Sequence, residues 1–166
     1  DWINANPLHS SSRPTHRNII MLTIEPADSS VFERLVSIWE TSVRETHFFL
    51  TESDITELRP LLLNTYLPNL PVFITRDATG TIHGFIGVDE NRIEMLFVDA
   101  ASRGKGVGKQ LLTYAIEKLH ANEVDVNEQN PQGVAFYKHM GFVQTGRSAV
   151  DSQGKPFPLL YMRYSC

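Results

Sequence analysis

The chemical signal of this chain is concentrated in residues 92–114, RIEMLFVDAASRGKGVGKQLLTY. An apolar run leads through a short loop into alternating glycines, Gly104, Gly106 and Gly108, at the start of an amphipathic segment. Glycines at a helix N-terminus leave backbone N–H groups uncovered, and that end carries partial positive charge, so it favours phosphate. Arg103, Lys105 and Lys109 add formal charge around the same concavity, with Val107 between them. A pyrophosphate-bearing ligand suits this chemistry; the bland alternative is a Gly-rich turn flanked by solvated lysines.

Two nucleotide motifs fail here. A Walker loop requires Ser or Thr after Gly-Lys, and Gly108-Lys109 is followed by Gln110. A dinucleotide fingerprint requires a sixth-position glycine, which is Lys109 when counted from Gly104. The pattern that fits is Gln/Arg-x-x-Gly-x-Gly/Ala, as Arg103, Gly106 and Gly108, after a strand ending Leu96-Phe97-Val98. Further on, in DVNEQNPQGVAFYKHMGF (125–142), Asn130 stands before Pro131, Tyr137 follows seven residues later, and Gly141-Phe142 closes the segment. Together these resemble the GNAT N-acetyltransferase superfamily, over roughly residues 21–166 in element order. VNEQN, the FYK…GF segment and TGRS…GKPFPLL look closest to a small bacterial subgroup that includes protein-lysine acetyltransferases.

The resemblance implies acetyl-CoA as co-substrate, no metal, and a primary amine as acceptor: protein lysine, or a small amine such as a polyamine, antibiotic or amino acid. A non-catalytic acyl-CoA-binding module is the alternative of a different class. It also implies that Leu96, Phe97 and Val98 offer backbone groups to the pantetheine and acetyl oxygen, that Arg103 to Lys109 hold the pyrophosphate, and that Asn130 bonds the pantetheine arm. Acetyl transfer needs an oxyanion donor, a base for the amine and a proton for the thiolate. Tyr137 is the expected acid, since a phenol near pKa ~10 stays protonated at neutral pH; its alternative reading is a core aromatic beside Val134 and Met140. Candidate bases are Glu94, placed by alternation on the same face as Leu96, His47 in the Thr46–Phe49 segment, and Asp125. No Gly-x-Ser-x-Gly elbow occurs, so direct attack in a ternary complex is expected rather than an acyl-enzyme. The chain departs from the family in reading Asp99-Ala100 where Asp-Pro is common, which predicts a looser loop. Substrate choice is assigned to segment 46–66 and the loop Asp151–Pro158.

The elements that must position these groups follow from periodicity. A strand in MLTIEPA precedes a helix capped by Ser29 or Ser30, with Phe32, Leu35, Val36, Trp39 and Val43 at helical spacing. A second helix follows Thr51, burying Ile55, Leu58 and Leu62 and stopped by Pro68 and Pro71. VFITRD and IHGFIGVDE form a hairpin about residues 78–80. The signature strand and its helix come next, the helix burying Val107, Leu111, Leu112, Ala115 and Leu119. Strand 124–127, a helix from Pro131, and strands near 142–148 and 159–164 complete the order βααβββαβαββ. This is the GNAT order: a mixed, mostly antiparallel sheet flanked by helices, in the α/β class.

The chain of 166 residues makes one domain, 21–166. Residues 1–20, polar and without period, read as a flexible extension or a remnant of expression, lacking the apolar centre of a signal peptide. A net charge of −4 argues against a nucleic-acid partner. No apolar run approaches the roughly 20 residues of a membrane span, and the single cysteine, Cys166, permits no internal disulfide. A cytoplasmic monomer or homodimer is expected.

Overall fold

The computed structural model describes residues 21–165; the expectations for residues 1–20 and for Cys166 lie outside them. A seven-stranded sheet runs in the order β1-β2-β3-β4-β5-β7-β6. Its strands are β1 (Thr23–Pro26), β2 (Val72–Arg76), β3 (Ile82–Asp89), β4 (Arg92–Val98), β5 (Glu123–Asn127), β6 (Phe142–Ser148) and β7 (Leu159–Tyr164). Among the described residues only β4 and β5 pair in parallel, and the other ladders are antiparallel. The helices are α1 (Phe32–Thr46), α2 (Glu52–Leu61), α3 (Val107–Lys118) and α4 (Pro131–His139).

The sheet separates two apolar cores. One joins α1 and α2 to Ile74, Phe85, Met95 and Phe97; the other joins α3 and α4 to Ile86, Leu96, Val98, Val124 and Val126. Alternation along buried strands feeds both, because successive side chains leave opposite faces. Gly84 permits the close approach of α3: a Cβ there would stand 2.8 Å from the Phe97 carbonyl and 3.0 Å from Val107 Cγ1.

Three boundaries differ from expectation. Asp28, not Ser29 or Ser30, supplies the first cap, accepting from Ser30 N–H at 2.9 Å; its carboxylate sits one residue earlier, at the start of a 3-10 turn before α1. Helix α2 begins as expected at Thr51, whose hydroxyl accepts from Asp54 N–H while the Asp54 carboxylate accepts from Thr51 N–H. Pro60 lies inside it, unable to donate a helical bond, and the chain continues as a π-helical turn (Leu62–Tyr66) and a 3-10 turn that includes Pro68. Leu119 is half-buried rather than buried, because it caps α3 and sits past its last turn.

Candidate active site

The site originates where two strands part. β4 and β5 are paired only at Arg92–Glu123 and Ile93–Val124, yet both strands continue to Val98 and Asn127. Leu96, Phe97 and Val98 pair with Ile86, Phe85 and Gly84 of β3 along one edge. Their opposite edge has no strand partner among the described residues, so backbone groups there are available to a ligand threaded into the split. These three side chains are buried and apolar, giving the split dry walls.

Three polar groups support that reading. The Tyr137 hydroxyl, Asn127 Nδ2 and Asn130 Nδ2 are buried and make no hydrogen bond. Buried donors without partners are rare and costly. Each sits beside a satisfied structural role. Asn130 caps α4 through Oδ1, accepting from Gly133 N–H at 3.4 Å, and Asn127 Oδ1 accepts from Gln129 N–H at 2.9 Å. The Tyr137 ring packs edge-on against Phe136 and Phe142, each at 5.3 Å. Its two readings therefore coexist: a core aromatic with an unpaired hydroxyl. Burial pushes the phenol well above its ordinary pKa and keeps it protonated. Asn127 was passed over in the sequence because it reads as the last residue of a strand; only the burial of its unpaired amide marks it.

At the mouth of the split, Gly104 (φ 72°) and Gly106 (φ 79°) adopt left-handed conformations that favour glycine. Gly106 caps α3 with no side-chain bond, so the N-terminal N–H groups of Val107, Gly108 and Lys109 stay uncovered by a cap. Lys109 is exposed and Lys105 half-buried. Arg103 is ion-paired with Glu45 of α1; burial lowers its pKa, with Glu45 opposing that only in part. The glycines, lysines and orphaned amides have the chemistry that suits a pyrophosphate and pantetheine arm.

On the α1–α2 side of the split lies a cleft of about 460 Å³, lined by Tyr66, Asn69, Arg92, Glu94, Asp125 and Gln153 among others. Glu94 reaches it through a β-bulge. The β3–β4 register passes from Gly87–Met95 to Val88–Ile93, leaving Glu94 as the extra residue. Glu94 and Met95 thus both line the cleft, while Leu96 packs in the opposite core. The expectation that Glu94 and Leu96 share a face is corrected by this inserted residue. Burial, then the nearby Asp125 and Asp89 charges, raise the Glu94 pKa above the usual carboxylate range, with Arg92 opposing them. Asp125 differs: Arg92 donates to it at 2.6 Å.

His47 is not brought to this cleft. It is 1 % exposed at the end of α1, its ring 5.2 Å from Phe49. Thr46 Oγ1 donates to the Ser42 carbonyl at 2.8 Å, so the contact of 2.6 Å to His47 Nδ1 is read as Nδ1–H donating. Nε2 is then a buried acceptor without a partner, and burial lowers the ring's pKa to about 3. A ring so reluctant to take a proton is a poor base. The two segments assigned to substrate choice do meet: Gln153 Nε2 donates to the Tyr66 hydroxyl at 3.5 Å, and Phe49 packs on Phe157 at 5.2 Å. Asp151 shapes that loop, its Oδ1 accepting from Gln153 and Lys155 N–H at 2.9 Å. Among the described residues no cluster of His, Cys, Asp and Glu could hold a metal, and no helix is long and apolar enough to cross a membrane.

Comparison with known proteins agrees with this geometry. The acetyltransferase (GNAT) domain family matches residues 66–163. Peptidyl-lysine N-acetyltransferase YjaB of Salmonella typhimurium is 39% identical over 145 residues, 87% of this chain and 99% of that protein. YjaB of Escherichia coli is 42% identical over 132 residues, covering 80% and 89%. The solution structure of apo YjaB from Escherichia coli superposes with a TM-score of 0.80 at 39% identity, over 87% of this chain and 98% of that one. The structure of yncA from Salmonella typhimurium with acetyl-CoA shares the fold at a TM-score of 0.61 and 18% identity, over 87% and 94%. The chain belongs to the GNAT acetyltransferase family and is an acetyl-CoA-dependent N-acetyltransferase.

Proposed function

We propose that the chain acetylates lysine ε-amines of proteins by direct attack within a ternary complex. The observation that carries this reading is the split between β4 and β5, together with three unpartnered buried donors at the end of β5 and on α4 and a cleft that Glu94 lines. The YjaB relatives, named for peptidyl-lysine transfer, support the acceptor class. When bound, acetyl-CoA supplies an acetyl thioester; all else falls to the chain. An alkyl amine near pKa ~10.4 arrives protonated and must lose a proton before attack. Glu94, the cleft carboxylate with a raised pKa and no salt bridge among the described residues, takes that proton, directly or through water. Unpaired backbone groups of β4 orient the carbonyl, and the Tyr137 hydroxyl gives a proton to the departing sulfur.

The test mixes protein, acetyl-CoA and a panel of lysine peptides, polyamines and free amino acids, and follows free thiol, with Tyr137→Phe alongside. Thiol release with lysine peptides, reduced ~100-fold or more in the variant, is expected. Turnover only on small amines would overturn the acceptor class. Binding of acetyl-CoA without turnover on any of them would favour a non-catalytic module.

A further inference from the structure

A hydrogen-bonded relay outside the cleft runs from the β2–β3 turn to the signature loop. Asp77 Oδ1 accepts from Thr79 N–H at 2.9 Å, Thr81 N–H at 3.1 Å and the Thr79 hydroxyl at 2.6 Å. That fixes the turn and leaves Oδ2 for His83 Nε2, 2.7 Å away. On the other side of the ring, His83 Nδ1 lies 2.6 Å from Ser102 Oγ. A carboxylate only accepts, so in the neutral ring Nε2 carries the proton and Nδ1 accepts from the Ser102 hydroxyl. The main chain of the same residue is engaged as well, the His83 carbonyl accepting from Asp99 N–H at 2.8 Å. One residue of β3 therefore grips both ends of the turn 99–102, immediately before Arg103.

The set Ser102, His83, Asp77 is not arranged for nucleophilic attack. Ser102 is 4 % exposed and lines none of the clefts described above. Its position suits restraint instead. The loop lacks the proline whose fixed φ would stiffen it, yet side chains hold it on both flanks: Asp99 accepts from Arg34 at 2.6 Å and from the Thr41 hydroxyl at 3.3 Å, and Ser102 is held by His83. We propose that His83 is a positioning residue for acetyl-CoA, acting through Ser102 to hold the loop that presents Arg103 and the uncovered N-terminus of α3. This rests on the reading of residues 103–109 as the pyrophosphate site. Without the strut, the loop must be ordered again each time the cofactor binds, which weakens cofactor affinity and leaves the acceptor cleft untouched.

The ring's two nitrogens allow a sharp test. In His83→Asn the side-chain amide stands near the place of Nδ1 and can serve Ser102; in His83→Gln it reaches toward Nε2 and serves Asp77 alone. Acetyl-CoA affinity by calorimetry, and KM for each substrate, are measured for both, with His83→Ala, Ser102→Ala and Arg103→Ala. The expected result is an affinity for acetyl-CoA weakened about 10-fold in His83→Ala, His83→Gln and Ser102→Ala, largely recovered in His83→Asn, with the acceptor KM unchanged. The Ala pair combined should be no worse than either alone. Equal weakening in Asn and Gln, or a lowered Tm with unchanged cofactor affinity, would overturn the proposal. Weakening in Arg103→Ala but not His83→Ala removes the strut and leaves the loop reading standing; no change in either removes both.

Discussion

The burial of His47 makes a quantitative demand on stability. Its ring is 1 % exposed with Nε2 facing no donor or acceptor, so a proton there creates a cation with nothing to pair it. The unfolded chain takes that proton near pKa 6.5, whereas the folded one resists it down to about 3. The folded value is the depressed one, so the contribution to stability is complete above 6.5 and declines as pH falls toward 3. Between about pH 7.5 and 5, linkage gives a loss of ~2 kcal/mol, or a fall in Tm of about 4–8 °C for a domain of this size. Urea melts of the wild type and of His47→Asn at the two pH values measure it. Asn keeps a partner for the Thr46 hydroxyl and loses the ring packing on Phe49, so its absolute stability drops while its pH dependence flattens. Carboxylates held low by their partners, such as Asp77 and Asp99, titrate below this window. A wild type with the same slope as the variant would refute the argument, show a ring open to solvent, and return His47 to the candidate bases.

Other outcomes follow from the same geometry. The acid limb of kcat/KM should sit above the usual carboxylate pKa of ~4.3 and flatten in Glu94→Gln, with activity down ~100-fold or more. Because a raised folded pKa means that the ionised carboxylate costs stability at neutral pH, the same variant should melt higher, by calorimetry. Asn127→Ala should weaken acetyl-CoA binding about 5- to 10-fold and also lower Tm, since the unpaired amide and the Oδ1 bond from Gln129 N–H are lost together; equal affinity would remove Asn127 from the site. Gly84→Ala forces a Cβ against the Phe97 carbonyl and Val107, so about 1–3 kcal/mol of stability should be lost in denaturant melts.

Much of this molecule is legible along the chain because its signals are local. Thr51 before Asp54, Asn130 before Pro131, and glycines at the start of α3 specify caps and left-handed turns within a few residues. Strand and helix periods fix the element order, and the spacing of Arg103, Gly106, Gly108, Asn130 and Tyr137 points to the family. Burial is a different quantity. His47 sits in a segment that reads as a loop between helices, yet its ring is buried against Phe49, which in turn packs on Phe157, over one hundred residues away in sequence.

The sequence by itself determined the fold class, the family and the left-handed glycine turn at the start of α3, since propensity, capping and glycine conformation act over a single turn. Tertiary structure alone decided which carboxylate of the cleft is left without an ion pair among the described residues. Strand alternation puts Glu94 beside Leu96; one bulged residue in the β3–β4 ladder turns it to the cleft, and Arg92 engages Asp125. It also decided which polar atoms remain unpaired, Asn127 and Tyr137 among them. Whether a donor finds a partner depends on every element packed around it, and that sum is fixed only when the chain has folded.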